Sequence, residues 1–379
     1  DSFDVSILCQ QLLVAGYVQS YVDFYQLTHR LDPNAIEDTG MKQISISEDD
    51  TKFIRDNLVK AEVSRRQGDT ASVYVAFNQL ADYYVKNQDW KTSFFFHEKC
   101  LEVSQLTNDV RAEMSANHSL GFIYQLMNDF NRACSYHERH EEIAISLDIF
   151  EEIAKSNVEL YKVYLVLAEK EEYKGNFEEA LRLYNKCLES SRKSWDKSSE
   201  ADANGKIGNL LLNNGEAQRS LPFLRQQSQI SADLGNAEGR CRACSALALA
   251  LDSMGQSEKA LGELMMVVSI SDEVGDSYLQ AKACRALGTL YSKLGRLKEA
   301  VETLQRHFQL TKKLLLKPPA AEPVRAPGSP GGKGPKSAAA DIHHTVTSQD
   351  LDVARAFIGI SKGNMLLGTY AKAIRNALS

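Results

Sequence analysis

An all-α fold is predicted for this chain: a superhelical solenoid of about seven helix–turn–helix units, mostly of 40-residue period. Three observations lead there. First, "ALGTLYSKLGRLKEA" (286–300) recurs 40 residues upstream as "ALALALDSMGQSEKA" (246–260) and again as "KIGNLLLNNGEAQRS" (206–220). Earlier copies follow as "VLAEKEEYKGNFEEA" (166–180), "SLGFIYQLMNDFNRA" (119–133) and "QLADYYVKNQDWKTS" (79–93). Second, in all six a small residue precedes another by twelve: Ala81/Ser93, Gly121/Ala133, Ala168/Ala180, Gly208/Ser220, Ala248/Ala260 and Gly288/Ala300. Third, apolar residues flank these places at helical spacing, from Leu80 to Leu287 before the first small residue and at Trp90, Phe130, Phe177 and Leu297 after the break.

Self-similarity at this period and spacing is the tetratricopeptide pattern, in which small residues let antiparallel helices pack closely. Gly288 lacks a side chain so that a neighbouring helix can approach it, and a bulkier residue there would overpack the contact. Gly295 belongs to the turn, where a left-handed backbone is easy for glycine. The matching turn positions are Gln88, Asn128, Gly175, Gly215 and Gly255. Unit spacing runs 40, 47, 40, 40 and 40 residues. The commonest tetratricopeptide period is about 34, so the helices here are long. The 47 predicts about two extra helical turns in the first helix of unit three, within 151–181.

Before the repeats, residues 1–66 form an N-terminal helical cap. Residues 7–31 have helical periodicity and predict a helix or helical pair, and a second helix runs from about Asp49 to Arg66, with Ser47 and Asp50 as a capping box. Six units fill 67–316. The stretch 317–347 is rich in Pro and Gly, with six of the eight prolines between 317 and 341, and reads as a disordered insert. Beyond it, 348–379 reads as a seventh unit or a C-terminal cap, with Ser361, Gly368, Tyr370 and Ala373 in the diagnostic places. The chain begins at Asp1, so its start is not taken as a native terminus.

Composition excludes some function classes. Lysine and arginine total 44 against 50 acidic residues, and a net charge of −6 gives no general pull toward nucleic acid or an anionic membrane. No apolar run approaches the roughly 20 residues of a membrane span. The seven cysteines are odd in number and scattered through helical pattern, which suits a reducing compartment.

Several constellations invite chemistry. Cys241 and Cys244 have the spacing of a redox or zinc pair, but both lie in the first helix of unit five, and they read as small buried hydrophobes. His97 and Cys100, with His137 and His140, are i, i+3 pairs at matching places of adjacent units. Because second helices of neighbouring units are held apart by an intervening helix, the expectation is packing and no metal. "GGKGPKS" in the insert is a poor phosphate loop, since Pro335 separates Gly334 from Lys336 and no strand precedes it. Ser329–Pro330 offers a phosphorylation site in an exposed segment. No nucleophile–base set stands out, so neither catalysis nor a cofactor is expected.

A solenoid does offer a groove lined by its first helices. In units four to six its exposed turns carry Asn209, Asn213, Arg242, Asp252, Lys282, Arg285 and Lys293, a polar and partly basic set suited to an acidic or hydrogen-bonding segment. Of the carboxylate clamp of tetratricopeptide co-chaperones, only Asn209 and Lys282 are in place, with Gly205, Ala246 and Ala286 at the other positions.

The stretches "GYVQSYVDFYQL" (16–27), "FFFHEKCLEVSQL" (94–106) and "LYKVYLVLAEKEEYKGNFEEAL" (160–181), with the run of 40-residue units, together resemble the family of tetratricopeptide repeat protein 29. The likeness covers nearly the whole chain apart from the insert. It implies a non-enzymatic scaffold of motile cilia and flagella, an accessory subunit docking an axonemal inner-arm dynein. The implied partners are the dynein heavy-chain tail or its light and intermediate subunits, a MYND-finger protein and, indirectly, the doublet microtubule. The implied place is the axoneme, with the cytoplasm before assembly. The alternative is a cytoplasmic adaptor for polarity or motor–cargo complexes.

Overall fold

The computed structural model describes residues 5–29, 46–316 and 348–378. These residues form sixteen helices and no strand, in two compact units, 1–195 and 196–379. The first unit contains α1 (Val5–Val14), α2 (Val18–Thr28), α3 (Glu48–Gln67), α4 (Thr70–Lys86), α5 (Trp90–Leu106), α6 (Val110–Leu126), α7 (Phe130–Ser146), α8 (Phe150–Tyr173) and α9 (Phe177–Lys193). The second contains α10 (Lys197–Asn213), α11 (Ala217–Asp233), α12 (Ala237–Ser253), α13 (Ser257–Val274), α14 (Ser277–Lys293), α15 (Leu297–Leu316) and α16 (Ser348–Leu378). Within each unit, successive helices pack against one another.

The 40-residue period resolves into two 20-residue halves. A typical half is a 17-residue helix followed by three linking residues, of which the middle one has positive φ. Those residues are Gly68, Gln88, Asn108, Asn128, Asp148, Gly175, Trp195, Gly215, Gly235, Gly255, Gly275 and Gly295. At every one of these turns but Trp195 the chain closes the helix below it with the same pair of bonds. The Gln88 amide donates to the Val85 carbonyl and the Asp89 amide to the Tyr84 carbonyl, the paired bonds of a Schellman cap. Asp89 then accepts from the Thr92 amide at 3.1 Å, so one residue ends one helix and starts the next. Asp69, Asp109, Asp129, Asp196, Asn236 and Asp276 cap their helices alike.

The single break in cadence is α8, which at 24 residues is seven longer than its neighbours, the two extra turns expected from the 47-residue spacing. Toward the start of the chain, the helical pair expected there is α1 and α2, joined at Gly16 with φ +79°. Ser20 ties α2 to α3: its amide and hydroxyl both donate to Glu62, at 2.8 and 2.6 Å. Ser47 caps α3 as expected, accepting from the Asp50 amide at 3.1 Å.

The core of each repeat lies where a small residue of the first helix faces a large one sixteen positions later. A Cβ placed on Gly208 would meet Leu224 at 2.5 Å, and one on Gly288 would meet Leu304 at 2.6 Å. Both leucines are fully buried. Across α7, α8 and α9, Glu138 accepts from the Tyr164 hydroxyl at 2.6 Å and from Lys186 at 2.9 Å.

Of the two C-terminal readings, the seventh unit needs correction. Residues 348–378 form one continuous helix of 31 residues, without the turn expected at Gly368, so they are not a helix–turn–helix unit. Instead α16 packs on α15 and α14, burying Ala354 and Ser361, whose hydroxyl lies 3.0 Å from that of Ser292. The insert, with "GGKGPKS" and Ser329–Pro330, lies outside the described residues.

Candidate partner-binding face and a buried histidine cluster

In the second unit the first helices α10, α12 and α14 carry the seven groove residues. Asn209, Asn213, Arg242, Lys282, Arg285 and Lys293 are exposed to differing degrees, and Asp252 is half-buried. Lys293 and Asp252 are brought together across α14 and α12: the ammonium donates to the two carboxylate oxygens at 2.8 and 2.9 Å. Ser257 also donates to Asp252, at 2.6 Å, and these two donors hold its carboxyl below the usual carboxylate range. Arg242, Lys282 and Arg285 form no side-chain hydrogen bond or ion pair among the described residues. Arg242 and Lys282, 40 residues apart, share one repeat position, so the cations stand on neighbouring first helices. What the face can do chemically is accept carboxylates or carbonyls by charge-assisted hydrogen bonds.

Sequence reasoning passed over Leu249, which occupies the repeat position of Asn209 on α12 and is 65% exposed. The signal was available, since one polar column of the groove carries a leucine in its middle. Cys241 and Cys244 are buried, with the Cys241 thiol directed at the Val267 carbonyl at 4.0 Å. Burial pushes both thiols up, Cys241 to about 11, so they are inert packing groups.

The two histidine pairs are held apart as expected, but the second has a neighbour that was not expected. His97 and Cys100 stay apart from the next unit's pair, Cys100 pointing its thiol at the Tyr74 carbonyl. His137 and His140 on α7 are joined by His118 on α6, which the sequence reading did not single out, and one ring nitrogen from each lies within 4.8 Å of the other two. His118 precedes Gly121 by three residues and so shares its helix face, the one signal that placed it. Gly121 lets the His137 ring lie on the α6 backbone: a Cβ there would come within 2.6 Å of it.

Each ring of the α7 pair is fixed from outside the cluster. His140 Nε2 lies 2.9 Å from Glu152 Oε2, and His137 Nε2 lies 2.7 Å from Gln125 Nε2, which also donates to Glu159 at 3.1 Å. Both glutamates come from α8. Nδ1 of His118, His137 and His140 is buried without a hydrogen-bond partner. Burial first, then mutual repulsion and nearby lysines, pulls His137 to about 3 and His118 to about 4, so the rings are neutral at pH 7.

The tetratricopeptide-repeat family profile matches residues 283–318, a stretch that takes in most of α14 and all of α15. Tetratricopeptide repeat protein 29 of Trypanosoma brucei brucei is 24% identical over 241 residues, 63% of this chain and 50% of that protein. The Homo sapiens protein of the same name is 24% identical over 261 residues, 65% of this chain and 54% of its own. The chain thus spans about half the length of these relatives. Among solved structures, a signal-transduction ATPase of Pyrococcus horikoshii with a tetratricopeptide-repeat sensor aligns over 70% of this chain and 43% of its own, at 14% identity and TM-score 0.44. The crystal structure of tetratricopeptide-like repeats from a Podosopora anserina putative kinesin light chain aligns over 53% of this chain and 95% of its own, at 19% identity and TM-score 0.33. The profile, the repeat cadence and the turn chemistry agree on the tetratricopeptide-repeat fold, and the chain is similar to the proteins named tetratricopeptide repeat protein 29.

Proposed function

We propose that this chain is a non-enzymatic scaffold of motile cilia or flagella, docking an axonemal inner-arm dynein through the first-helix face of its second unit. The observation that carries the docking reading is the set Arg242, Lys282 and Arg285, three solvent-accessible cations on adjacent first helices with no intramolecular partner among the described residues. Such unspent donors suit an acidic segment of the dynein tail or of its light and intermediate subunits. The ciliary setting rests on the homology to proteins named tetratricopeptide repeat protein 29. By the same homology a MYND-finger protein is a co-partner and the contact with the doublet microtubule is indirect.

Two experiments test it. High-salt extracts of flagella are fractionated into individual dyneins, and the chain is expected to co-migrate with one inner-arm species. Its confinement to the soluble cell body would sink the ciliary reading and favour a cytoplasmic adaptor. On the isolated pair, Arg242→Glu, Lys282→Glu and Arg285→Glu together should abolish binding at physiological salt. Unchanged affinity would place the interface elsewhere.

A further inference from the structure

The histidine cluster between α6 and α7 has the makings of a ligand set. At the repeat position of His140 three of the other units place a group that points at the preceding helix. Cys100 and Cys187 direct their thiols to the carbonyls 26 residues earlier, and His307 Nδ1 lies 2.9 Å from the Ala281 carbonyl. His140 breaks this habit. It gives its Nε2 to Glu152 and leaves Nδ1 without a partner, as His118 and His137 also do, and one ring nitrogen from each of the three lies within 4.8 Å of the other two. His137 and His140 are completely buried, so bulk solvent does not reach their nitrogens. Orphaned buried nitrogens are costly, and three converging from two helices call for a shared partner.

We infer that His118, His137 and His140 bind one divalent transition metal, Zn2+ by preference, through their Nδ1 atoms, tying α6 to α7. Imidazole nitrogen suits Zn2+, Cu2+ and Ni2+, and three nitrogens leave one coordination position for solvent, reached from the half-buried His118 side. Zn–N bonds of about 2.0–2.1 Å set tetrahedral nitrogens roughly 3.4 Å apart, so rings now within 4.8 Å close by small side-chain rotations. Glu152 is the outer carboxylate that holds a ligating imidazole by its far nitrogen. Glu159 supplies a second negative charge through Gln125, and Lys155 and Lys162 neutralise the two glutamates when no cation does.

Loading makes one further demand. His137 Nε2 faces the Gln125 amide nitrogen, which fixes the ring proton on Nδ1. For Nδ1 to ligate, that proton moves to Nε2 and Gln125 turns its carbonyl oxygen toward it, giving up its bond to Glu159, which is left to Lys162. No net proton is released by that exchange.

The test uses the untagged full chain, stripped with chelator and titrated with Zn2+ under competition from a chromophoric chelator, and with Co2+ for its visible d–d spectrum. One Zn2+ per chain, a tetrahedral Co2+ spectrum and a rise in Tm with Zn2+ are expected. His118→Gln changes the half-buried member and should abolish the Co2+ spectrum. Glu152→Gln should weaken Zn2+ ten- to a hundred-fold, about the usual effect of an outer-shell partner. His97→Gln, buried but outside the cluster, should bind as the parent does. Circular dichroism of each variant reports the fold independently. Absence of stoichiometric Zn2+ in the folded parent, or parental affinity in folded His118→Gln, overturns the assignment; neither result bears on the scaffold reading.

Discussion

Lys293 on α14 reaches back 41 residues to Asp252 on α12, its ammonium 2.8 and 2.9 Å from the two carboxylate oxygens. The pair neutralises itself, which separates the groove into a closed end and the open cations Arg242, Lys282 and Arg285. Asp252→Asn should therefore release Lys293 and strengthen binding of an acidic peptide at low salt. Because the pair is partly exposed, the same change should cost no more than about 1 kcal/mol of stability in urea unfolding. The Asp252 carboxyl is held low in the folded state, so its contribution is present above the unfolded carboxylate range and is lost as pH falls through the lower folded value. A peptide affinity that drops in Asp252→Asn would show that the carboxylate itself contacts the partner.

The contact of Gly288 with Leu304 fixes the distance between α14 and α15. A Cβ there sits 2.6 Å from Leu304 Cγ and 2.9 Å from Thr303 Oγ1, and Leu304 is fully buried with nowhere to retreat. Gly288→Val should lower stability by about 1–3 kcal/mol through overpacking. An unchanged urea midpoint would mean that the two helices separate freely.

Gln88 turns between α4 and α5 with φ +60°, where six of the later turns use glycine. Its side chain is exposed, so replacing it removes strain and little contact. Gln88→Gly is expected to stabilise by roughly 0.5–1 kcal/mol, the left-handed penalty of about 1–2 kcal/mol less the added chain entropy of glycine. In the opposite sense Gly215→Val, at φ +84°, should destabilise by about 1–3 kcal/mol. Thermal melts of the two variants moving in the same direction would contradict the cap geometry.

His97 is buried with its Nδ1 unpartnered, and burial alone pulls it down to about 4. A depressed folded value means that its contribution is complete above the unfolded value of about 6.5 and declines as pH falls, gone by about 4. The loss from this one group is at most about 3 kcal/mol by that linkage. His97→Gln, measured by urea unfolding between these limits, should show a shallower pH slope. An identical slope would assign the acid sensitivity to other groups.

Much of this architecture was open to a reader of the sequence because it is local and repeated. Gly175, Gly215, Gly255 and Gly295 mark turns since a left-handed backbone is cheap only for residues of their kind, and the 47-residue spacing announces α8's two extra turns. Six further turns escaped notice because Asn108, Asp148 and Trp195 do not look like breaks, and because the eye follows the 40-residue repeat rather than its 20-residue half. The groove columns were legible from the same register.

What only the tertiary structure decided depends on side chains meeting across helices. Periodicity places Lys293 and Asp252 on one face but does not say that a lysine stem spans the gap to close on its neighbour. The diagnostic small residues put a turn at Gly368, yet α16 runs straight through it and packs on α14 and α15. Register aligned His137 with His97 and paired His140 with Cys100, whereas packing set His118 from the adjoining helix against them, because the missing side chain of Gly121 lets one ring settle on the α6 backbone. Sequence by itself determined the repeat, its length and its turns, which follow from backbone conformation within some twenty residues. Which polar groups face one another was decided by interhelical packing, a property no single helix possesses.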